Sequence, residues 1–383
     1  MGRPTGRRIA LLTHVYPSNP LAPTEIPGNF LPPFAHELGR LGASVRILTP
    51  QSALVGSDVP DSLAPVTRFK WRGDRRPLGK FRVTQPIDAL RLFDFVWQGR
   101  HALQKLIERE QIEFVLACWA VPAGFIASLL DVPYAVWSLG SDIHTSPRNP
   151  LTRLFVLRAL RRASLRYANS LVLTQSVQQL TGLDCNLLPY LHPLPTDNPP
   201  ANLPHDRPNL LVAARFEHVK GIDLLLDALA QIDPPRPRVH LAGAGTWENA
   251  LRVQVARLNL QGDVVFLGLL GEGALSSTLR ACDAVVIPSR DESLPSIFVE
   301  SVRLGVPVVA TDVGDLGALI NQFKVGIVVP PNDPRMLAQA MITINRTPRE
   351  QFTAHLNELA EQFDLTRSAK TLLHDLEGML GRG

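Results

Sequence analysis

The feature that most limits the fold of this chain is a series of short, continuously apolar runs between segments with helical spacing. Strands of a parallel sheet are covered on both faces, so they are apolar throughout rather than alternating between apolar and polar residues. The pattern therefore predicts a doubly wound α/β domain in which helices such as 30–41 and 93–109 connect the strands. The predicted strands are RIALLTH (8–14), SVRILTP (44–50), FVLACWA (114–120), YAVWSL (134–139) and SLVLTQS (170–176).

A proline-rich stretch, residues 192–208, separates this series from a second one. Proline fixes φ and donates no backbone hydrogen bond, so such a stretch continues neither a helix nor a strand. We predict an N-terminal Rossmann-like domain over 1–191, this linker, a C-terminal Rossmann-like domain over 209–363, and a terminal helix over 364–383 that could pack back on the N-terminal domain. The strand-like runs of the second series are NLLVAAR (209–215), RVHLAGAG (238–245), VVFLG (264–268), AVVIPS (284–289), PVVAT (307–311) and GIVVP (326–330).

Composition excludes several classes of protein. The 383 residues are 45% hydrophobic and 19% charged, as in ordinary globular chains. The three cysteines, Cys118, Cys185 and Cys282, have no CxxC spacing, so we expect neither a zinc knuckle nor a disulfide framework, and a cytoplasmic location fits. The net charge is +4 with the basic excess in the first half, but the basic residues form no interleaved aromatic platform and no recognised motif for reading nucleic acid. We therefore expect no nucleic-acid partner.

No segment reads as a membrane span. The apolar run 9–12 is too short for a signal peptide, and the longest uncharged stretch, 114–130, is broken by Pro122 and Gly124. The helix-like segment Leu151–Tyr167 combines an apolar stripe with five arginines on the other side. It fits a helix that packs on the sheet with a solvated basic face, or a helix on a membrane surface. Peripheral contact with the inner membrane surface through the basic N-terminal domain therefore stays an alternative.

Two loops of the second series carry groups that could hold a phosphate. Arg215 and Lys220 stand five residues apart between a predicted strand and a predicted helix. Arginine offers a planar fork to phosphate oxygens and lysine a compact charge, so the pair could neutralise a diphosphate leaving group. Taken alone, the pair is also what a solvated surface loop would carry.

The second loop carries two carboxylates around a predicted helix start. Pro295 suits the first turn of a helix, whose amides near Ser296 and Ile297 could donate to a phosphate. If every step were helical, Glu300 would lie about 12 Å from Glu292, which suits one carboxylate at a sugar and the other at a ribose. The alternative is a first-turn carboxylate favoured by the helix dipole and a solvated helical residue.

The run ACDAVVIPSRDESLPSIFVESVRLGVPVVA (281–310) resembles the signature of retaining glycosyltransferases with the GT-B fold, in particular family four. RFEHVKGIDLLLDAL resembles the basic phosphate loop of that family, HLAGAG its next strand and turn, and VGIVVPPNDPRMLAQAM its late strand and helix. VYPSNPLAPTEIPGNFLPPFAHELGRLGASVRILTP resembles its first βα unit. The resemblance implies two Rossmann-like domains facing across a cleft. The second would bind a nucleotide diphosphate sugar, such as a UDP- or GDP-sugar, and the first a hydroxyl acceptor such as a glycan, a lipid-linked saccharide or a small molecule.

The resemblance also implies roles for particular residues. Arg215 and Lys220 would bind the donor diphosphate, Glu292 would contact the transferred sugar near its anomeric carbon, and Glu300 would hold the ribose. Family members need no metal or cofactor at this site. Transfer with retention would proceed by ionisation of the donor and attack of the acceptor from the face of the departing phosphate, which helps take the acceptor proton. Further substrate-binding positions are Ser296, Ile297, Gly28, Gly268 and Asp142.

The sequence departs from the family pattern at one segment of the first domain and at one segment late in the second domain. Leu139 stands where the family often has a histidine, and His144 could replace it or have a purely structural role. The later Gly-Gly-x-x-Glu segment has Asp315 and Ala318 in place of its second glycine and its glutamate. These changes favour altered handling of sugar or acceptor, and they leave open a catalytically degenerate protein that binds nucleotide sugars as a partner.

A nicotinamide-dependent oxidoreductase is the other alternative. Gly243-Ala244-Gly245 begins a dinucleotide fingerprint, but Glu248 stands where its third small residue belongs. A bulky anion at that point would face the pyrophosphate, so the glycines favour this function only weakly.

Overall fold

The computed structural model of the protein describes residues 6–17, 28–51, 64–73, 78, 81, 85–144, 149–189 and 194–380. These residues form two compact units. The first contains the described residues up to Pro189 together with residues 365–380, and the second contains residues 194–364. Each unit has a parallel sheet with helices between its strands, so the predicted doubly wound α/β class is confirmed.

The sheet of the first unit is parallel throughout. Its described strands lie in the order β3-β2-β1-β4-β5-β6-β7, where β1 is Arg8–Leu12, β2 Ser44–Pro50, β3 Val66–Phe69, β4 Phe114–Cys118, β5 Tyr134–Ser138, β6 Leu165–Ala168 and β7 Asn186–Leu187. Alternate residues of β1 enter different cores, since Ala10 and Leu12 pack on one face of the sheet and Ile9 and Leu11 on the other. The order reverses beside β1, so the loops after β1 and β4 meet at the carboxyl edge, where ligands of such sheets bind.

Helices cover both faces of this sheet. The described helices before the second unit are α1 (Leu31–Arg40), α2 (Pro86–Glu110), α3 (Phe125–Ala127), α4 (Ser141–His144), α5 (Pro150–Arg162) and α6 (Leu171–Thr181). A one-turn π-helical segment over Ala120–Gly124 leads into α3. The sheet therefore presents its carboxyl edge between helix starts, which is the arrangement expected for a ligand-binding α/β unit.

The second unit has the same plan with a different set of strands. Its described strands lie in the order β10-β9-β8-β11-β12-β13, where β8 is Asn209–Ala213, β9 Arg238–Ala242, β10 Val264–Gly268, β11 Ala284–Ile287, β12 Val308–Thr311 and β13 Gly326–Val329. The described helices are α7 (Ile222–Ala230), α8 (Glu248–Arg257), α9 (Glu272–Ala281), α10 (Ser296–Arg303), α11 (Leu316–Phe323), α12 (Pro334–Arg346) and α13 (Glu350–Ala360). Because β8 and β11 are neighbours in this sheet, the loops that follow them lie side by side.

The last helix, α14 (Leu365–Leu380), returns to the first unit. Ala369, Leu372 and Leu376 are buried in the core on the side of α1. The Asp375 carboxylate accepts a hydrogen bond from the Tyr167 hydroxyl at 2.7 Å. The end of the chain thus completes one face of the first unit.

Part of the proline-rich stretch belongs to the second unit. Asn198 Nδ2 donates to the carbonyl of Gly273 at 3.1 Å, and the amide of Ala201 donates to the carbonyl of Ser277 at 2.8 Å. Residues 198–201 therefore pack against α9 instead of forming a free connection.

The strand predicted over 170–176 is wrong. These residues begin α6, and Ser170 caps the helix by accepting a hydrogen bond from the amide of Leu173 at 3.2 Å. A short apolar run fits a buried helix as well as a buried strand, so periodicity alone did not distinguish them.

The helix predicted over 151–167 is too long. α5 ends at Arg162, and the chain then extends into β6, so Tyr167 lies in a strand. Val156 and Ala159 pack in the core, as expected for a helix that lies on the sheet.

Candidate active site

Two loops of the second unit, both predicted to hold phosphate, lie against each other at the carboxyl edge of the sheet. Residues 214–221 follow β8, and residues 288–295 follow β11. The amide of Arg290 donates to the carbonyl of Val219 at 2.8 Å, which fixes the two loops together. Here they are called the β8 loop and the β11 loop.

A salt bridge reinforces this contact. The Arg290 guanidinium donates to both carboxylate oxygens of Asp223 at 2.8 and 2.7 Å and to the carbonyl of His218 at 2.7 Å. Burial alone would raise the pKa of Asp223, but the Arg290 guanidinium holds it below its usual value. Asp223 lies in the first turn of α7, where a negative charge is favoured by the helix dipole. Arg290 therefore anchors the β11 loop to the start of α7.

The side chains of Lys220 and Glu292 meet between the two loops. Lys220 Nζ contacts Glu292 Oε1, and the two side chains are 16% and 15% exposed. Burial lowers the pKa of Lys220 to about 8 and the charge of Arg215 acts in the same direction, whereas Asp291 raises it. The Glu292 carboxylate favours the protonated ammonium. A cation and a carboxylate are thus held together at the carboxyl edge of the sheet.

The two remaining predicted donor residues differ in exposure. Arg215 is exposed, so its guanidinium is accessible to an anion. Glu300 is 7% exposed and lies within α10. The interpretation of Glu300 as a solvated helical residue is therefore wrong.

The start of α10 has the form that the sequence predicts. Pro295 is its N-cap and Ser296 its first residue. The first amides of any helix have no acceptor within that helix, and they carry the positive end of its dipole. Because Glu292 precedes the helix, the assumption that every step from Glu292 to Glu300 is helical is wrong.

Glycines let the loops approach closely. Gly221 has φ +64°, and a Cβ there would collide with the carbonyl oxygen of Pro288. Gly314 has φ +58°, and a Cβ there would collide with the carbonyl oxygens of Glu292 and Ser293. The next residue, Asp315, is buried and donates its amide to the carbonyl of Ser293 at 2.9 Å. These contacts set the path of the β11 loop.

The glycines of Gly243-Ala244-Gly245 have a packing role. A Cβ at Gly243 would collide with the carbonyl of Ala214, and one at Gly245 with the backbone of Phe216. Their presence is explained by the close approach of the β8 loop. Gly268 is different, because it has φ +68° and a Cβ there would meet no atom within 4 Å.

In the first unit, Asp142 holds the loop after β5. Its carboxylate accepts from the amides of Ala120 at 2.8 Å and of Leu139 and Gly140 at 3.1 Å each. Burial raises the pKa of Asp142, whereas the amide hydrogen bonds lower it. The side chain thus joins the loop after β5 to the segment that follows β4, at the carboxyl edge of the sheet.

His144 and Gly28 lie at the same edge of the first unit. The amide of His144 donates to the carbonyl of Gly140 at 2.9 Å, and its side chain is partly exposed at the end of α4. Gly28 has φ +106°, and a Cβ there would lie 2.8 Å from the carbonyl oxygen of Val15. A close approach of the loop after β1 therefore requires glycine at this position.

Two family models match the chain. The model for glycosyl transferases group 1 covers residues 195–362, and the model described as glycosyl transferase 4-like covers residues 76–176. The chain is a GT4-like glycosyltransferase with the GT-B fold. The β8 loop and the β11 loop both lie within the first of these matches.

The glycosyltransferase resembles relatives over nearly its whole length. It is 26% identical to TuaC of Bacillus subtilis (strain 168), a candidate teichuronic acid biosynthesis glycosyltransferase, over 97% of this chain and 98% of that protein. The fold is also that of a sucrose-phosphate synthase from Thermosynechococcus elongatus, with TM-score 0.79, 19% identity and coverage of 98% and 100%. Anabaena HepE in complex with UDP-glucose has TM-score 0.70, 19% identity and coverage of 97% and 99%.

Sequence reasoning missed one unusual pair of the glycosyltransferase. The His14 ring lies edge-on to that of Trp119, with centroids 4.9 Å apart. Burial lowers the pKa of His14 to about 4, and its Nδ1 has no hydrogen-bond partner among the described residues. Trp119 has φ +71°, a conformation that costs energy in a residue with a side chain. The only sequence signal was a histidine at the end of the first predicted strand.

Among the described residues, no three His, Cys, Asp or Glu side chains come together as a metal-binding group. None of the helices there is both long and apolar enough to cross a membrane. The three cysteines are buried, and none of them forms a disulfide.

Proposed function

We propose that this glycosyltransferase transfers a sugar from a nucleotide diphosphate sugar to a hydroxyl acceptor, with retention of the anomeric configuration. The second unit binds the donor and the first unit binds the acceptor. The observation that carries the proposal is the meeting of Lys220 and Glu292 beside the start of α10. A cation, a carboxylate and free helical amides are the groups that a sugar diphosphate needs.

Each group has a chemical task in this proposal. Lys220 and Arg215 neutralise the charge that develops on the diphosphate when the glycosidic bond breaks, and the amides of Ser296 and Ile297 donate to its oxygens. Glu292 orients the Lys220 ammonium and accepts hydrogen bonds from the sugar, while Glu300 accepts them from the ribose. Gly268 leaves open space beside the donor.

The first unit supplies the acceptor side. His144 takes the role of the family histidine whose place Leu139 occupies. The partly exposed position of His144 at the carboxyl edge supports this role. Asp142 positions the loop that carries it. Gly28 permits the close backbone approach of the loop after β1. The acceptor hydroxyl loses its proton to the departing diphosphate.

The donor is held without a metal. The described cations at the donor loops can balance the diphosphate charge, and HepE, a structural neighbour, was solved with UDP-glucose. These points favour a UDP-sugar as the first donor to try. The three cysteines form no disulfide, which favours a reducing compartment such as the cytoplasm for this enzyme.

The test uses water as the probe acceptor. UDP-glucose and GDP-mannose, both α-linked donors, are incubated with the enzyme in excess EDTA, and the freed sugar is followed by ¹H NMR before mutarotation. We expect one donor to release the α anomer first, at a rate that EDTA leaves unchanged. Release of the β anomer first would contradict retention, and loss of turnover in EDTA would contradict a metal-free site. Binding without any turnover would favour a degenerate partner protein.

A further inference from the structure

Four large apolar side chains of α2 lie in solvent. Ile87, Leu90, Phe93 and Trp97 are 65%, 69%, 66% and 50% exposed. Single exposed apolar residues are normal, but a contiguous row on one helix marks an interaction surface.

The four residues share one face of the helix. They are spaced three to four residues apart, and from Ile87 to Trp97 they extend over about 15 Å of α2. The Phe93 and Trp97 rings stack, with centroids 6.2 Å apart and planes 20° apart. The opposite face of α2 buries Phe95 and Leu103 in the core, so the exposed row lies outside this core.

α5 presents a second exposed apolar group on the same layer of the unit. Leu151, Leu154 and Phe155 are 53%, 62% and 40% exposed, and the Phe155 ring contacts that of Phe125 in α3 at 4.7 Å between centroids. α3 packs between α2 and α5. Both longer helices run antiparallel to the strands, so their exposed first halves lie toward the same edge of the sheet. We call the seven exposed residues of the two helices the α2/α5 surface.

Exposed arginines border the α2/α5 surface. Arg153 lies between Leu151 and Leu154 in α5, and Arg72 lies beside α2, where its amide donates to the Asp94 carboxylate at 2.6 Å. The other acidic residue in the first half of α2, Asp88, is buried. The surface therefore combines aromatic and aliphatic side chains with cations.

We propose that the α2/α5 surface binds an anionic phospholipid bilayer, with its apolar side chains at the boundary between headgroups and acyl chains. Tryptophan, phenylalanine and leucine favour that boundary, and arginine is attracted to anionic headgroups. A second copy of this chain is a poorer occupant, because a symmetric contact would bring the exposed arginines of the two copies together. Such attachment would bring the enzyme to a lipid-linked acceptor, a purpose that rests on the proposed function.

The experiment is co-sedimentation of the full chain with vesicles. Vesicles of phosphatidylcholine with phosphatidylglycerol are compared with phosphatidylcholine alone, for the wild type, for Phe93→Ser/Trp97→Ser and for a control, Val253→Ser/Leu269→Ser. The control removes apolar side chains that are 68% and 53% exposed in the second unit. We expect binding to anionic vesicles only, unchanged in the control. Binding should be weakened at least ~10-fold in the α2 variant, because two apolar side chains that enter the bilayer in this proposal are lost.

A second measurement does not depend on the folding of that variant. Brominated phosphatidylcholine in the anionic vesicles should quench part of the tryptophan fluorescence of the wild type, and Trp97→Phe should remove that part while binding persists. Absence of vesicle binding, equal loss in the control variant, or quenching unchanged in Trp97→Phe would each overturn the proposal. Dimerisation through this face without vesicle binding would also overturn it. Binding of UDP to the second unit is measured separately, so failure of membrane binding is distinguishable from failure of the donor site.

Discussion

Arg290 and Asp223 join two segments that are far apart in the sequence, through paired hydrogen bonds of 2.8 and 2.7 Å. The guanidinium comes from the β11 loop and the carboxylate from the first turn of α7. Both side chains are about one-fifth exposed, at 18% and 21%. Because the β11 loop also carries Glu292, this salt bridge connects the stability of the second unit with the position of a proposed donor residue.

Asp223→Asn should lower the free energy of unfolding by about 2 kcal/mol, because it leaves the Arg290 cation partly buried without its counter-charge. Urea unfolding followed by circular dichroism measures the change. Asp206→Asn is the matched control, since Asp206 pairs with Arg238 at 3.0 Å but is 62% exposed, and it should cost less than ~1 kcal/mol. Equal losses of unfolding free energy in the two variants would mean that the Arg290–Asp223 salt bridge stabilises the protein no more than an exposed one.

Lys220→Ala should reduce kcat/KM for the nucleotide sugar by about 10² to 10³, as removal of one electrostatic stabiliser does. Steady-state release of the nucleoside diphosphate gives the ratio. The control is Lys370→Ala, which removes an exposed lysine from α14 and should leave kcat/KM unchanged. Wild-type kcat/KM in Lys220→Ala would remove this residue from the mechanism.

Gly221→Ala should disturb the packing of the β8 loop against the β11 loop. The residue has φ +64° and its Cβ would collide with the carbonyl of Pro288, so the β8 loop must move. We expect at least ~1 kcal/mol of destabilisation and weaker UDP binding. Gly262→Ala is the control, because its Cβ would meet no atom within 4 Å, and it should be neutral. A fully stable Gly221→Ala variant with normal UDP affinity would show that this close approach is not required.

His14 should make the first unit sensitive to acid. Burial lowers its pKa to about 4, whereas in the unfolded chain it is near 6.5. Between these values the unfolded state binds a proton that the folded state does not. His14 therefore contributes a loss of stability as pH falls from 6.5 to 4, reaching about 3 kcal/mol by the integrated linkage.

Thermal unfolding of His14→Gln between pH 7 and pH 4 should show less acid sensitivity than the wild type. His374→Asn, which changes an exposed histidine of α14, should retain the wild-type dependence. Identical acid sensitivity in the wild type and His14→Gln would mean that His14 stays accessible to protons in the folded state.

Periodicity in the sequence was enough to predict the class of fold, but it could not assign every segment. The apolar runs at 44–50 and 264–268 coincide with β2 and β10. The run at 170–176 begins a helix that Ser170 caps, and a cap acts through local hydrogen bonds that apolar spacing does not record. β3 lies outside every strand that the apolar runs predict.

The side-by-side position of the β8 loop and the β11 loop was predictable because the carboxyl ends of adjacent parallel strands meet. Their side-chain pairing was not. The contact of Lys220 with Glu292, and of Arg290 with Asp223, depends on the backbone path set by Gly221 and on the conformation of each loop. The burial of His14 against Trp119 similarly arises from contacts between separate strands.

Binding of nucleoside diphosphates to the second unit tests the central claim most directly. UDP, GDP, ADP and NAD are titrated by calorimetry in excess EDTA into the wild type, Arg215→Ala and Lys220→Ala. We expect one diphosphate to bind the wild type without a metal, and both variants to bind it at least ~10-fold more weakly, since each loses a charged hydrogen bond to phosphate. No diphosphate binding, binding of NAD alone, or wild-type affinity in both variants would contradict a donor site built on Arg215, Lys220 and Glu292.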